Sequence, residues 1–280
     1  MPDMSSSSLD RDEGELWPMA SLRARRQAFL DRPPWARPPR GFAVLLTTGA
    51  LNPVHAGHVE MLRSAAQRLE EAGYGVLAAY LSPSHDAYVQ SKAMHLNTVG
   101  LTGEFRAELV RRTVRGFGAS ESSDDSIDSL VSEGDGLVEF GGWEAAQPGF
   151  VGYWVVSLEL QSHLVEEGID ARVFYACGTD MALRFHLGSG MRCGIGLVVV
   201  PRAGDRPPRE HRREDRVLVA RPTPGEISMF SSTKIREAVG RRDEEYIRRT
   251  MAPPAAQLLL YPSPEEEERF EKDFSRLRGG

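Results

Sequence analysis

The chain has 280 residues, 41% of them hydrophobic, which is enough for one well-filled core. Its formal net charge of -6 argues against a basic surface that binds a nucleic-acid polymer, but leaves room for a small, locally bound anion. No stretch approaches the length of a membrane span and the N-terminus lacks the apolar run of a secretory signal, which predicts a soluble, cytoplasmic protein. Cys177 and Cys193 are predicted to be buried thiols, with neither a disulfide scaffold nor a zinc site indicated.

Composition divides the chain into three segments. Residues 1–40 are Ser-rich and acidic and then Pro-rich, which predicts a partly disordered N-terminal leader with a short helix within residues 17–30. Residues 41–262 carry the apolar runs of a single domain. A Gly-, Ser- and acid-rich stretch at 118–142 is predicted to form a flexible insertion in that domain. Residues 263–280 are highly charged, which predicts a solvated tail.

Continuous aliphatic and β-branched runs in the chain are typical of strands buried on both faces of a parallel sheet. Helical segments separate these runs. This alternation predicts a single α/β domain with a doubly wound, Rossmann-like parallel sheet and helices on both faces. The predicted strands are FAVLLTT (42–48), GVLAAYL (75–81), ARVFYAC (171–177), GIGLVVV (194–200) and RVLVA (216–220).

Two predicted helices show an apolar stripe with helical spacing. The first covers residues 58–72 and the second covers residues 147–167. The stripe of the first helix consists of Val59, Leu62, Ala66 and Leu69, and that of the second consists of Val151, Trp154, Val155, Leu158 and Val165.

The first predicted strand runs directly into a loop and the start of a helix, at residues 47–58. Such a junction directs unpaired N–H groups and the positive end of the helix dipole at the carboxyl edge of the sheet. Gly49 and Gly57 permit close approach of the backbone to a ligand. His55 and His58 can both donate hydrogen bonds to an anion held there. We therefore predict a phosphate-binding cradle at this junction.

A second segment, Ser-Ser-Thr-Lys-Ile-Arg at residues 231–236, starts another helix. Taken alone, its hydroxyls are more typical of an ordinary N-cap, with Lys234 and Arg236 on a solvated face. Hydroxyls, free N–H groups and two cations within one turn are also the groups that bind phosphate. Two such helix starts in one chain favour the phosphate-binding interpretation.

These two segments resemble the His-x-Gly-His and Ser-Ser-Thr-x-x-Arg motifs of the nucleotidyltransferase superfamily. The resemblance is specifically to the nicotinamide/nicotinate mononucleotide adenylyltransferases, and it covers residues 42 to about 260. Further segments agree in the same order along the chain. They are residues 81–88 with Lys92, the Trp-Glu pair at Trp143 and Glu144, the Gly-x-Asp turn at 177–180, and the Arg-Ala-Gly segment at 200–204.

The resemblance implies transfer of AMP from ATP to the phosphate of nicotinamide or nicotinate mononucleotide, giving NAD or its deamido form plus pyrophosphate, a step of NAD biosynthesis. An acceptor phosphate oxygen would attack the α-phosphorus in line, with Mg²⁺ carried by the ATP phosphates and no covalent enzyme intermediate. His55, His58 and Arg236 would act as the catalytic cations. Activity is then expected to fall as the histidines lose their protons.

The resemblance also implies two sets of ligand-binding residues and no metal ligands on the protein. The ATP-binding set is Thr48, Gly49, Ala50, His55, His58, Gly178, Asp180, Ser231, Ser232, Thr233 and Arg236. The acceptor-binding set is Gly49, Ala50, Leu51, Asn52, Lys92, Trp143 and Glu144.

The chain departs from the family pattern in one place. Eukaryotic members have a second Trp downstream of the Gly-x-Asp turn, and residues 184–191 contain none. Either Phe185 or His186 replaces it, or the acceptor is not a pyridine. Trp143 also fits a plug that anchors the acidic stretch. Asp180 also fits a cap of the following helix.

Three other functions stay open or are disfavoured. An enzyme of the same superfamily could act on a different phosphate-bearing acceptor, and a non-catalytic nucleotide-binding or interaction protein could keep the fold. Class I aminoacyl-tRNA synthetases share a His-x-Gly-His loop, but this chain lacks their Lys-Met-Ser-Lys-Ser pattern. The predicted partners are ATP and a small phosphorylated acceptor, without a nucleic-acid polymer or a membrane, and a homo-oligomer is compatible with the sequence.

Overall fold

The computed structural model of the protein describes residues 16–118, 136–211, 215–223 and 225–279. Residues 1–15 of the predicted leader and residues 119–135 of the predicted acidic insertion lie outside this part of the chain.

The described residues form one parallel sheet of six strands in the order β3-β2-β1-β4-β5-β6. This order confirms the predicted doubly wound α/β fold. The long apolar runs are buried because both faces of the sheet are covered by helices. The strands are β1 (Phe42–Gly49), β2 (Gly75–Pro83), β3 (Val138–Phe140), β4 (Ala171–Gly178), β5 (Gly196–Val200) and β6 (Val217–Val219).

Helices follow most of the strands and pack on the two faces of the sheet. No helix in the described ranges is long and apolar enough to cross a membrane. The helices are α1 (Ala20–Leu30), α2 (Ala56–Glu71), α3 (Asp86–His95), α4 (Gly103–Gly118), α5 (Tyr153–Glu166), α6 (Thr179–Arg184), α7 (Ser232–Arg241), α8 (Glu244–Thr250), α9 (Pro253–Leu260), α10 (Pro264–Arg269) and α11 (Glu271–Gly279).

The two predicted helical stripes have different outcomes. The stripe of α2 is confirmed, since all four of its apolar residues are buried. The stripe of α5 was wrong, because Trp154 and Val165 are exposed and the helix buries Val156, Leu160 and Leu164 instead. The segment 147–167 is apolar nearly all round, so its periodicity does not distinguish the face that meets the sheet.

The start of β5 also differs from the prediction. The strand begins at Gly196, and Cys193 lies in a turn before it with a φ of 56°. This left-handed turn directs the Cys193 side chain outward, so Cys193 is exposed, whereas Cys177 on β4 is buried as expected.

Segments at both ends of the described chain pack on the core. Trp17 is buried and contacts Tyr80 of β2 edge to face, with ring centroids 5.2 Å apart. Phe270 and Phe274 are buried against Phe105 of α4, at centroid distances of 4.8 and 5.3 Å. Residues 263–279 are therefore not a wholly solvated tail, because Phe270, Phe274 and Leu277 pack on the core, although α10 itself buries none of its residues. The division of the whole chain into leader, domain and tail stays a prediction.

The strand order reverses between β1 and β4, which are neighbours in the sheet. Their connections leave from opposite faces, so a crevice opens beyond the carboxyl ends of these two strands. Ligands of open α/β sheets bind at such a switch point. Both predicted motifs at the ends of these strands, the loop after β1 and the Gly-x-Asp turn after β4, therefore face one crevice.

Candidate active site

A cavity of about 440 Å³ lies at this crevice, beyond the carboxyl ends of β1 and β4. It brings together most of the residues predicted to bind ATP and the acceptor, although they come from four separate segments. The predicted residues that line it are Thr48, Gly49, Ala50, Leu51, Asn52, His58, Lys92, Gly178, Asp180, Ser232, Thr233 and Arg236.

The loop between β1 and α2 is held from behind by protein donors. The carbonyl of Gly49 accepts the Ser84 N–H at 2.8 Å, and the carbonyl of Ala50 accepts Nη1 of the buried Arg106 at 3.0 Å. The carbonyl of Pro53 accepts the Ser232 hydroxyl at 2.7 Å. Since these carbonyls are bound within the protein, they do not repel an anion in the cavity. The last contact also joins the β1–α2 loop directly to the start of α7.

His55 and His58 lie at the first turn of α2 with their ring centroids 3.9 Å apart. The His58 Nδ1 accepts the backbone N–H of His55 at 3.1 Å, so in the neutral ring the proton is on Nε2. The His58 ring lines the cavity and therefore presents an N–H donor to a ligand there. Gly57 makes this pairing possible, because a Cβ at that position would lie 3.0 Å from the His55 Nδ1.

Both histidines are neutral in the free protein at pH 7. Burial lowers the pKa of His58 to about 4, and burial, with the nearby positive charge of Arg202 as a smaller cause, lowers the pKa of His55 well below 6.5. This corrects the expectation that the two rings are cationic before a ligand binds, because burial penalises the charged imidazole. In this state each ring can offer an anion only a neutral N–H donor.

Arg236 is the cation of α7 that reaches the cavity. Its guanidinium is half-buried and donates to the Asn52 carbonyl, to Thr98 Oγ1 at 2.8 Å and to Thr233 Oγ1 at 3.2 Å. All of these acceptors are neutral, and no carboxylate among the described residues lies within ion-pair distance of it. Burial lowers the pKa of Arg236, yet a guanidinium stays charged. A half-buried cation without an ion pair at the wall of a cavity favours an anionic ligand.

A smaller cavity of about 230 Å³ adjoins the first and shares His58, Gly178 and Asp180 with it. His55 lines this second cavity together with Arg202, which follows β5. Arg202 belongs to the Arg-Ala-Gly segment, but no binding role was predicted for it from the sequence. Its position directly after a buried parallel strand was the signal, since side chains there reach the carboxyl edge of the sheet.

Gly178 and Asp180 form the turn between β4 and α6. Gly178 is the N-cap residue of α6, and a Cβ on it would lie 2.8 Å from the Asp180 Oδ1. The glycine therefore allows the carboxylate to fold back over the start of the helix, beside both cavities. The interpretation of Asp180 as the cap of this helix was wrong, because Gly178 is the N-cap and Asp180 lies within the first turn of α6. Its place in the lining of both cavities fits the ligand-facing interpretation.

Fewer of the side chains predicted to bind the acceptor line the crevice. Lys92 lines the larger cavity, with its Nζ 5.8 Å from the centroid of the Tyr88 ring. Trp143 and Glu144 are absent from the lining of both cavities. Trp143 is half-buried and packs on the core cluster around α5, and Glu144 is buried with an oxygen 3.5 Å from Ser82 Oγ. Burial raises the pKa of Glu144 to about 7.

Three further residues from the sequence analysis are absent from the lining of the crevice cavities. Phe185 and His186 line a separate cavity of about 550 Å³ with Tyr153 and Trp154 of α5. Ser231 is the N-cap residue of α7, adjacent to the lining residue Ser232. Neither of the residues considered as replacements for the second Trp therefore faces the larger crevice cavity in this structure.

The chain is similar in sequence to plant enzymes named nicotinamide/nicotinic acid mononucleotide adenylyltransferase. It is 29% identical over 150 residues to the one from Oryza sativa subsp. japonica, covering 52% of this chain and 50% of the relative. It is 28% identical over 148 residues to the one from Arabidopsis thaliana, covering 51% of each chain. The chain thus spans about half the length of the curated relatives that it matches. No protein-family model matches it.

The sequence similarity to these plant enzymes confirms the predicted resemblance. Among solved structures, the chain is similar to nicotinic acid mononucleotide adenylyltransferase from Plasmodium falciparum in complex with NaAD. That similarity covers 82% of this chain and 96% of the other, with 10% sequence identity and a TM-score of 0.49.

Proposed function

We propose that the protein transfers AMP from Mg·ATP to the phosphate of nicotinamide or nicotinate mononucleotide and releases pyrophosphate. The observation that carries the proposal is the single crevice at the β1/β4 switch point, in which the His-x-Gly-His loop and the start of α7 face each other. Two independent phosphate-binding helix starts at one cavity fit a triphosphate better than they fit a monophosphate. The plant relatives carry the name of this activity.

The chemistry needs charge neutralisation and alignment and no side-chain nucleophile. In the proposal, Arg236 and the N–H groups at the start of α7 bind the outer phosphates, and the His58 Nε2–H binds the phosphate that is transferred. The acceptor phosphate attacks from the side of Lys92, in line with the leaving pyrophosphate. Pre-positioned donors then stabilise the charge that develops on the transferred group and on pyrophosphate.

Magnesium enters the proposal as part of the Mg·ATP substrate. The described residues contain no group of three or more His, Cys, Asp or Glu side chains that could hold a metal ion. Phosphate oxygens and water are the ligands that Mg²⁺ prefers when a protein offers few carboxylates. In the proposal, the phosphate oxygens of ATP carry the ion. A cytoplasmic location and a homo-oligomeric state stay predictions.

The test is product analysis by mass spectrometry with purified full-length protein, ATP and Mg²⁺, and either nicotinamide or nicotinate mononucleotide. We expect a dinucleotide product with at least one acceptor, and strongly reduced product with His58→Ala, because that ring donates from within the cavity. His163→Ala is the matched control, since His163 lies on α5 away from both crevice cavities.

Two results would contradict the proposal in different ways. Binding of Mg·ATP without product from either mononucleotide would favour another phosphate-bearing acceptor or a non-catalytic nucleotide-binding protein. Product formation that is unchanged in His58→Ala would remove the His-x-Gly-His loop from the mechanism.

A further inference from the structure

Residues 96–102 connect α3 to α4 and form one wall of the larger crevice cavity, which has a volume of about 440 Å³. Thr98 lies in this segment, lines the cavity and accepts a hydrogen bond from the Arg236 Nη2 at 2.8 Å. The position of the segment therefore fixes one of the partners that orient the Arg236 guanidinium. A guanidinium is a planar fork, so its orientation decides whether it can bind a phosphate through two nitrogens.

Helix α11 holds this segment from outside the site. Asp273, which is 2% exposed, accepts the Thr102 backbone N–H at 2.6 Å and the Thr102 hydroxyl at 2.7 Å. Arg276 donates to the Gly100 carbonyl at 2.6 Å. A buried carboxylate is costly unless it is hydrogen-bonded, so the Asp273 carboxylate fixes Thr102 in one place.

The β1–α2 loop holds the same segment from the inside. The Asn52 Nδ2 donates to the Val99 carbonyl at 2.7 Å, and the Asn52 Oδ1 accepts the Leu101 N–H at 3.0 Å. Both polar atoms of the Asn52 amide are therefore hydrogen-bonded to this segment. The segment also packs closely on α3, since a Cβ at Gly100 would lie 2.8 Å from the Gln90 Oε1 and 3.0 Å from the Ala93 Cβ.

We propose that α11 positions the ATP-binding side of the site, and that Asp273 is the positioning residue through which it acts. Asp273 fixes residues 96–102 against Asn52, and Thr98 in that segment orients Arg236. Neither Asp273 nor Arg276 lines either crevice cavity, so the effect passes through the segment and not through contact with the ligand. The inference rests on the proposed function only in taking Mg·ATP as the ligand of Arg236.

The experiment compares Asp273→Ala, Asp273→Asn and Glu271→Gln in the full chain. Glu271 is an exposed carboxylate on the same helix, so its variant is matched for the loss of one negative charge in Asp273→Asn. Calorimetry with Mg·ATP measures affinity, and hydrogen exchange measures the protection of amides in residues 97–102. We expect Asp273→Ala to weaken Mg·ATP binding about tenfold and Asp273→Asn about threefold, because Asn keeps one acceptor oxygen, whereas Glu271→Gln has no effect.

A purely structural role for Asp273 would look different. It would reduce the fraction of active protein, which lowers kcat but leaves the KM for Mg·ATP unchanged, whereas mispositioning of Arg236 raises that KM. Combining Asp273→Ala with Thr98→Val should give less than the product of the two single effects, because both variants act on the same contact. If Asp273→Ala does not fold, Arg276→Met tests the second hydrogen bond from an exposed position.

The outcomes separate this inference from the proposed function. If the loop amides lose protection in Asp273→Ala or Arg276→Met but Mg·ATP binds as tightly as in Glu271→Gln, the positioning role is overturned. If the wild type binds Mg·ATP but forms no dinucleotide, the proposed acceptor fails, while the affinity series still decides the role of α11. If the wild type does not bind Mg·ATP, both are overturned.

Discussion

The two halves of the candidate site are built in different ways. The phosphate half consists of the β1–α2 loop and the start of α7, where backbone groups and short side chains are fixed at the ends of regular elements. The acceptor half depends on longer side chains from separate segments, and two of these, Trp143 and Glu144, lie in the core and outside the cavity lining.

This difference indicates which substitutions should change ligand binding alone and which should also change the free energy of unfolding. In the phosphate half, the half-buried Arg236 reaches the cavity from the start of α7 and has only neutral protein acceptors, so its replacement should change ligand binding more than the free energy of unfolding. In the acceptor half, the Glu144 carboxylate is buried beside Ser82, so its replacement should change the free energy of unfolding first. Four predictions test this contrast, from the largest expected effect to the smallest.

The largest effect is expected at Arg236. Arg236→Ala should raise the KM for Mg·ATP about 100-fold, because it removes a cation that has no carboxylate partner among the described residues. Steady-state kinetics at saturating acceptor measures this change. Lys234→Ala is the control, since Lys234 is exposed on the same helix and does not line either crevice cavity. Equal KM values for the two variants would mean that the start of α7 does not bind the nucleotide.

A smaller effect is expected at Gly57. Gly57→Ala places a Cβ 3.0 Å from the His55 Nδ1 and 3.3 Å from the Ile227 carbonyl, so the His55 ring must shift by a few tenths of an ångström, which disturbs the His58 ring packed on it. We expect about tenfold weaker Mg·ATP binding by calorimetry, from the displaced His58 donor. Gly149→Ala is the matched control, because a Cβ at Gly149 meets nothing within 4 Å. Wild-type affinity in Gly57→Ala would show that the ring pairing is not needed for binding.

Much of the phosphate half could be predicted from the sequence for a physical reason. A buried strand that runs into a Gly-containing loop and a helix start places N–H groups at the sheet edge whatever the rest of the chain does. Gly49, His58 and Arg236 were therefore predicted from local patterns and Thr48 from the family resemblance, and the structure brings all four to one cavity. Their roles in binding stay predictions.

The parts that were not predicted depend on contacts distant in sequence. The three-residue strand β3 is too short to show a period and is recognisable only by its pairing with β2. The burial of Asp273 depends on Thr102, which is 171 residues away in the chain. The low pKa of His58 depends on how deeply the folded chain buries the ring, and a sequence pattern does not report this depth.

The pH dependence of the reaction tests the state of His58. Its pKa in the free protein is about 4, so the ring becomes cationic only as the pH falls through that value. Between pH 6 and 8 the ring stays neutral. Because kcat/KM reports the ionisation of the free enzyme, its value for Mg·ATP should change by less than about twofold over this range on account of His58. The measurement is the pH profile of wild type against His58→Gln. A decline centred near pH 6.5 that is absent from His58→Gln would mean that a cationic ring binds ATP.

The smallest effect is expected at Glu144. Burial raises the pKa of Glu144 from 4.5 to about 7. Between these two pH values the folded state keeps a proton that the unfolded state has released. A raised pKa stabilises the fold fully below about pH 4.5, and this contribution is lost as the pH rises through 7. Glu144→Gln keeps the shape without the charge, so we expect its Tm to exceed that of wild type by about 2–4 °C at pH 8 and to match it at pH 5.

Two controls make the Glu144 test specific. Glu159→Gln, on the exposed face of α5, should leave the Tm unchanged at both pH values. Arg106, whose charge lies near Glu144 and opposes the rise of its pKa, is left intact in every variant. A lower Tm for Glu144→Gln at pH 8 would mean that the ionised carboxylate is stabilised by its hydrogen bonds to the segment after β2, and that its charge is a structural part of the fold.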